Sequence, residues 1–235
     1  MTSGAVVDLR IANADGSSFP ALLARPAKVP AAAVVCVPSI FGVNDEARRY
    51  LRQYADAGYV ALVYDPFWRT TPGPLSPTED ADRRIAMTRR DGFIVGEGVT
   101  DLRSAIGAVR SLDACNGKVA IAGYCFGGRY AYLAATQLDV DAAISYHGIR
   151  IGDSLAGAGP LRCPATFHFG DQDHSVPMSE VDAIRLALRD DPRAEICVYP
   201  GVGHSFTWRG YHLYDEAAAH VAEARALALL ATLSR

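Results

Sequence analysis

The residues Gly123-Tyr124-Cys125-Phe126-Gly127-Gly128 carry the sharpest chemical signal in the chain. The apolar run Val119–Ala122 precedes them and a helical pattern follows from Phe126, so Cys125 is expected at the tip of a tight strand-to-helix turn. Backbone at such a tip is strained, and its neighbours two positions away must be nearly free of side chain. Glycine at 123 and 127 meets that requirement. A helix starting at Phe126 aims the positive end of its dipole at the sulfur and favours the thiolate, the form that attacks carbonyl carbon. The pattern is G-x-S-x-G with Cys in place of Ser. An isolated cysteine would read as a small core residue, but the strand–turn–helix setting points to a nucleophile. A phosphate-cradling loop is excluded, because no Gly-Lys-Ser/Thr is present and the glycine spacing is not G-x-G-x-x-G.

A thiol nucleophile needs a base, and the base needs an orienting group. The apolar run Ala165–Phe169 ends in Gly170-Asp171-Gln172-Asp173-His174-Ser175-Val176-Pro177, and the run Glu195–Tyr199 ends in Pro200-Gly201-Val202-Gly203-His204-Ser205-Phe206. Both loops leave the carboxyl ends of expected strands, where open α/β sheets place their sites. The order Cys125, Asp173, His204 matches the nucleophile–acid–histidine order of α/β-hydrolases. Asp171 competes for the acid role but is expected to cap the turn, with Asp173 at the bend before Val176-Pro177. His168, Asp171, Asp173 and His174 could also be read as a metal cluster; His168 lies inside a strand and no further ligands are in view, so no metal is expected. His147 could line the pocket, although a satisfied structural histidine is the simpler reading. His212 and His220 read as surface or helix residues.

The elements that must position these groups follow a strand–helix alternation. Buried-strand runs are Ala33–Val37, Val60–Tyr64, Val119–Ala122, Ala142–Tyr146, Ala165–Phe169 and Glu195–Tyr199, nearly continuous in apolar residues as a doubly covered parallel sheet requires. Helices are expected from Asn44 or Asp45 through Ala57, ending at Gly58, then over Thr100–Ser111, Phe126–Gln137, Met178–Leu188 and Tyr214–Leu233. Val6 to Arg25 alternates and turns at Asp15-Gly16, which predicts an antiparallel edge hairpin. The proline-rich stretch Thr70–Thr78 reads as an ordered surface excursion. The expected architecture is α/β, with a mostly parallel central sheet, helices on both faces and one domain over 1–235.

Composition excludes several classes of function. The chain has 235 residues, half of them apolar, and a formal charge of −3 with no basic stripe of the kind nucleic acid needs. Five cysteines (Cys36, Cys115, Cys125, Cys163, Cys197) form no C-x-x-C pair, which argues against a disulfide framework and for a reducing, cytoplasmic compartment. The start Met1-Thr2-Ser3-Gly4 has no signal-peptide pattern, and the apolar stretch Ala31–Val43 is too short to span a bilayer. A small-molecule substrate, no cofactor and a monomer or weak homo-oligomer are expected.

Ile40-Phe41-Gly42-Val43-Asn44, Gly123-Tyr124-Cys125-x-Gly127-Gly128, Gln172-Asp173-His174-x-Val176-Pro177 and Gly203-His204-Ser205-Phe206 together resemble the dienelactone hydrolase family (carboxymethylenebutenolidases). The resemblance covers essentially the whole chain and implies the α/β-hydrolase fold. It implies a Cys125–His204–Asp173 triad acting on an ester or lactone through an acyl-thioenzyme. It also implies an oxyanion hole from the backbone N–H groups of Ile40 and Phe126. Family enzymes that act on dienelactone bind its carboxylate with two arginines. One falls on Arg83; the other falls on Trp208, beside Arg209. Ser39 stands where those enzymes carry a glutamate, so Cys125 and His204 are expected to form a thiolate–imidazolium pair without substrate. Trp208 and Phe41 make the expected pocket mouth apolar and favour neutral aryl or short-chain esters and lactones. Phosphotriester hydrolysis by the same triad, and a non-catalytic ligand-binding role, are the competing readings; the second predicts a broken triad, whereas all three members are present.

Overall fold

The computed structural model describes residues 4–157 and 159–234. Internal contacts divide the chain into two compact units, Met1–Ala120 and Ile121–Arg235. The boundary falls inside a single strand, β5 (Cys115–Tyr124).

In the first unit, β1 (Val7–Ala12) and β2 (Ser18–Ala24) form the expected antiparallel hairpin. Its turn uses Gly16 at φ +83° and the Asp15 carboxylate, which accepts the Ser17 N–H at 2.9 Å. The strand order is β1-β2-β4-β3, with β4 (Val60–Tyr64) antiparallel to β2 and parallel to β3 (Ala31–Val37). Every residue of β4 and all but Ala31 of β3 are buried, which explains why these runs lack polar alternation.

Helix α1 (Asp45–Asp56) begins at Asn44, whose side-chain oxygen accepts the Ala47 N–H at 3.1 Å. It buries Tyr50, Leu51 and Tyr54 along one stripe. Helix α2 (Asp80–Asp91) buries only Ala86 and Arg89. Helix α3 (Val95–Arg110) starts five residues before the expected Thr100. Gly96 and Gly98 disfavour helix by propensity, yet burial of Val99, Asp101 and Leu102 rewards the longer helix.

Asp101 is the polar hub of this unit. Its carboxylate is 1% exposed and accepts from Asn13 Nδ2 (2.9 Å), Trp68 Nε1 (2.8 Å) and Arg69 Nη2 (2.8 Å). It therefore ties the hairpin, the segment after β4 and α3 to one buried charge.

In the second unit the order is β5-β6-β7-β8, with β6 (Ala142–Tyr146), β7 (Ala165–Gly170) and β8 (Ala194–Tyr199) parallel. Tyr146 lies opposite His168, and Gly170 opposite Tyr199. Helices α4 (Phe126–Gln137) and α5 (Met178–Leu188) match their expected bounds. Helix α6 (Glu216–Ala231) starts two residues after the expected Tyr214, because Asp215 caps it by accepting the Ala218 N–H at 2.8 Å. It ends in a 3-10 turn, Thr232–Ser234. No helix among the described residues is long and apolar enough to cross a membrane.

Removing the Asp101 carboxylate takes the shared acceptor from three buried or half-buried donors and leaves Trp68 Nε1 without its partner. Asp101→Ala is expected to lower stability by about 3 kcal/mol, and Asp101→Asn by less. Urea unfolding of the two variants beside wild type checks this, and equal midpoints would refute it.

Candidate active site

Strand β5 delivers Cys125 to a turn with φ +54° and ψ −111°, a conformation L-residues rarely adopt. Holding it costs on the order of 1–3 kcal/mol, which the surroundings must supply. They do so by hydrogen bonding and by close approach. The Cys125 N–H donates to the Tyr146 carbonyl at 3.0 Å, and the Cys125 carbonyl accepts from Gly128 (2.9 Å) and Ile149 (3.2 Å). A Cβ at position 123 would collide with the Gly127 carbonyl, so only glycine lets β5 and the first turn of α4 close around Cys125. Cys125 occupies the N-cap position of α4, at the positive end of the helix dipole, and Phe126 is its first helical residue.

The acid and the base arrive on two loops that are bonded to each other. Asp171 donates its N–H to the Tyr199 carbonyl (3.1 Å), and Gln172 donates to Val202 (2.9 Å). The Asp171 carboxylate accepts the Gly201 N–H at 2.7 Å. Asp171 therefore caps the turn, as expected, and Asp173 is left for the imidazole. A Cβ on Gly170 would collide with the Val202 carbonyl, so the end of β7 can touch the histidine loop only as glycine.

Asp173 is 4% exposed, and its Oδ1 accepts the Ser175 (2.7 Å) and Val176 (3.1 Å) N–H groups. Its Oδ2 accepts from His204 Nδ1 at 2.7 Å. The Cys125 sulfur lies close enough to the His204 imidazole to act on its charge. Burial alone would push the His204 pKa down. The attraction of Cys125 and the Asp173 hydrogen bond overcome that and raise it to about 10. The charges decide this balance: a cation between two anions is stabilised even where water is scarce.

The other histidines lie apart from this pair in chemistry. His168, fully buried in β7, is held between Tyr199 Oη (2.9 Å) and Thr166 Oγ1 (3.2 Å), and burial lowers its pKa to about 3. It is a neutral core residue. His174, His212 and His220 are exposed. No group of three His, Cys, Asp or Glu that could hold a metal occurs among the described residues. His147 is closer to the chemistry than its sequence setting indicated. It is 2% exposed at φ +40°, and its ring meets that of His204 edge to face with centroids 4.8 Å apart.

In the first unit, the Ser39–Asn44 loop is bonded throughout. Phe41 donates its N–H to Ser39 Oγ (3.3 Å), its carbonyl accepts from Leu75 (2.9 Å), and Gly42 donates to the Ser39 carbonyl (3.1 Å). Arg89, which sequence reasoning passed over, donates Nε to the Ile40 carbonyl (2.8 Å) and Nη1 to the Thr71 (2.9 Å) and Gly73 (3.1 Å) carbonyls. Its guanidinium also lies 4.2 Å over the Phe67 ring. Asp65 accepts the Phe67 (3.0 Å) and Gly73 (2.7 Å) N–H groups, so Gly73 is held from both sides. Arg83 is exposed, ion-paired with Asp80, and donates to the Pro77 carbonyl at 2.7 Å. In the second unit, Trp208 is half-buried beside Tyr211, with ring centroids 5.3 Å apart, and Arg209 pairs with Glu223 at 3.3 Å.

A strained turn from a strand into a helix, followed by acid and histidine loops after later strands, defines the α/β-hydrolase class. Solved structures agree. That of a Klebsiella pneumoniae protein assigned as a dienelactone hydrolase superposes with a TM-score of 0.83 at 26% identity, covering 97% of this chain and 99% of the other. A dienelactone hydrolase-like promiscuous phosphotriesterase from metagenomic libraries shares the fold at a TM-score of 0.72 and 22% identity, covering 98% and 99%. The family model for dienelactone hydrolase matches residues 19–234. The carboxymethylenebutenolidase of Pseudomonas putida is 36% identical over 226 residues, 96% of each chain. Carboxymethylenebutenolidase 1 of Cupriavidus pinatubonensis is 32% identical over the same length and shares. This chain belongs to the dienelactone hydrolase family, and it is a hydrolase.

Two outcomes follow from the site geometry. Gly123→Ala forces a methyl into the Gly127 carbonyl and is expected to cost more than about 4 kcal/mol, read as a collapse of the urea midpoint or loss of folded protein. A His204 pKa of about 10 leaves a cation beside Cys125 at neutral pH, and that cation is lost as pH rises through that value. Alkylation of Cys125 by iodoacetamide is therefore expected to be nearly flat from about pH 7 to about pH 9. It should fall at least about ten-fold in His204→Asn at neutral pH; a steep rise across that range in wild type would refute the resting ion pair.

Proposed function

We propose that this chain, acting as one hydrolase domain over residues 1–235, cleaves ester or lactone bonds of small molecules through the thiolate of Cys125. The observation that carries this reading is the continuous relay from Cys125 through His204 to Asp173. The sulfur attacks the carbonyl carbon, and the negative charge moves to the carbonyl oxygen. The Phe126 N–H, at the start of α4, donates to that oxyanion, and by family resemblance the Ile40 N–H is the second donor. Such donors are worth about 3 kcal/mol each when pre-aimed. Collapse expels the alkoxide, which takes the proton held by the His204 imidazolium and leaves an acyl-thioenzyme. Neutral His204 then removes a proton from water, hydroxide attacks the thioester, and the thiolate departs beside a restored imidazolium. Asp173 holds the Nδ1–H tautomer through both halves.

Several contacts support a neutral substrate. Of the two family arginine positions, one is Arg83, which Asp80 and the Pro77 carbonyl engage, and the other is Trp208, whose neighbour Arg209 is paired with Glu223. Trp208 offers an apolar face where family enzymes acting on dienelactone carry a cation, and Phe41 is half-buried with its backbone fixed. Ser39 spends its hydroxyl on the Phe41 N–H, so it supplies no charge that would hold the thiol neutral. Neutral aryl or short-chain esters and lactones are therefore the proposed class, with relatives named carboxymethylenebutenolidase supporting the lactone bond type. All five cysteines are free, which fits a cytoplasmic location.

An ester and lactone panel run on wild type and Cys125→Ala tests the mechanism. The variant is expected to lose about 10⁴-fold or more in kcat, and unchanged hydrolysis would overturn it. For wild type, kcat/KM for para-nitrophenyl acetate should exceed that for a carboxylated dienelactone by about ten-fold or more. The reverse order would overturn the neutral-substrate assignment. Burst release from an aryl phosphotriester, abolished in Cys125→Ala, would instead extend the same nucleophile to phosphorus.

A further inference from the structure

The segment that leaves β6 touches both partners of the reacting pair. Tyr146 accepts the Cys125 N–H at 3.0 Å, and Ile149 donates to the Cys125 carbonyl at 3.2 Å, so the nucleophile's peptide groups are gripped from either side. Between these contacts lies His147, its N–H donating to the His168 carbonyl at 2.7 Å. Gly148 packs so tightly that a Cβ there would collide with Ser145 Oγ and lie 3.0 Å from the Gly128 carbonyl carbon in the first turn of α4. The segment cannot shift without moving Cys125.

The side chain of His147 reaches the other partner. Its ring stands edge to face against His204 at 69° and against Phe206 at 74°, with centroids 4.8 and 5.8 Å apart. Nε2 and Thr207 Oγ1 are 3.3 Å apart, while Nδ1 is buried with no hydrogen-bond partner among the described residues. An unpaired nitrogen costs about 1–3 kcal/mol, and a non-glycine residue at φ +40° adds strain. Thus neither the hydrogen bonding nor the backbone conformation at this position favours a histidine on stability grounds. What the residue does supply is an aromatic wall in contact with the imidazole.

We propose that His147 is a positioning residue for the reacting pair: its ring holds the His204 imidazole in line with Cys125 while its own backbone segment holds Cys125. The proposal rests on the triad reading above. The groups facing His204 are Cys125, Asp173 and His147; those facing His147 are His204, His168 from β7, and the Thr207 hydroxyl. Burial, with His204 and His168 alongside, keeps His147 well below the ordinary histidine range. The wall is consequently neutral while the imidazole it faces carries charge, and it adds no repulsion to the ion pair.

The test uses two substitutions at one position. His147→Gly removes the ring and relieves the backbone, since glycine accepts positive φ. His147→Phe keeps a ring and removes both nitrogens. With para-nitrophenyl acetate, His147→Gly is expected to lower kcat about ten- to hundred-fold with KM within about two-fold. It should also make Cys125 alkylation by iodoacetamide climb with pH as an unpaired thiol does, because a tilted imidazole no longer holds the thiolate. His147→Phe is expected to recover most of both losses. Wild-type kcat and a wild-type alkylation profile in His147→Gly would overturn the proposal. So would a folded His147→Phe as impaired as His147→Gly, which would place the effect in the nitrogens. Cys125→Ala measured alongside separates the two layers: hydrolysis surviving in that variant defeats the triad itself, whereas its loss beside an unaffected His147→Gly defeats only the positioning role.

Discussion

The geometry of this hydrolase depends on backbone approaching backbone where a side chain would normally stand. At the elbow, β5 and the first turn of α4 come together over Gly123, where a methyl group would sit inside the Gly127 carbonyl. The same device recurs where Gly128 meets Gly148, and where Gly170 meets Val202. Together these approaches set where Cys125 and His204 sit. Strain at Cys125 is tolerable because its N–H and its carbonyl are each satisfied in the strained conformation. A relaxed turn would lose those bonds and turn the sulfur away from the imidazole.

Three histidines of the second unit, two buried and one half-buried, show how charge and burial divide the roles of one residue type. His168 has hydroxyl partners and no anion, so burial wins and the ring stays neutral. His147 is likewise neutral, beside a cation. His204 lies between the Cys125 sulfur and the Asp173 carboxylate, and the attraction of two anions outweighs the desolvation that governs the others. Asp173 is fixed against His204 because the Ser175 and Val176 N–H groups occupy its second oxygen.

Among the described residues, the buried Arg89 gives Nε and Nη1 to the Ile40, Thr71 and Gly73 carbonyls. A guanidinium committed to three carbonyls and an aromatic face acts as a brace for a loop. Helix α2 is joined to its unit mainly through that residue, since Ala86 is the only other buried position on it.

Sequence alone determined the elements whose pattern is local. Helices α4 and α5, strands β4 and β6, the Asp15-Gly16 hairpin turn and the Asn44 cap follow from short-range periodicity, capping and turn chemistry, which need no distant partner. The meeting of Asp173 with His204 was legible for a related reason: each follows a strand end marked by glycine. The start of α3 was not legible, because burial of Val99 and Asp101 outweighed two unfavourable glycines. Arg89 was not legible either, and His147 only as a residue that could line the pocket. Arg89 lies on a helix whose apolar Ile85 and Met87 face solvent while the cation turns inward, reversing the pattern that sequence reading relies on. His147 follows an ordinary buried strand, and nothing near it in the chain announces the imidazole it meets. Contacts between residues far apart in sequence arise only when the chain folds back on itself, and they are decided by packing that no local window contains.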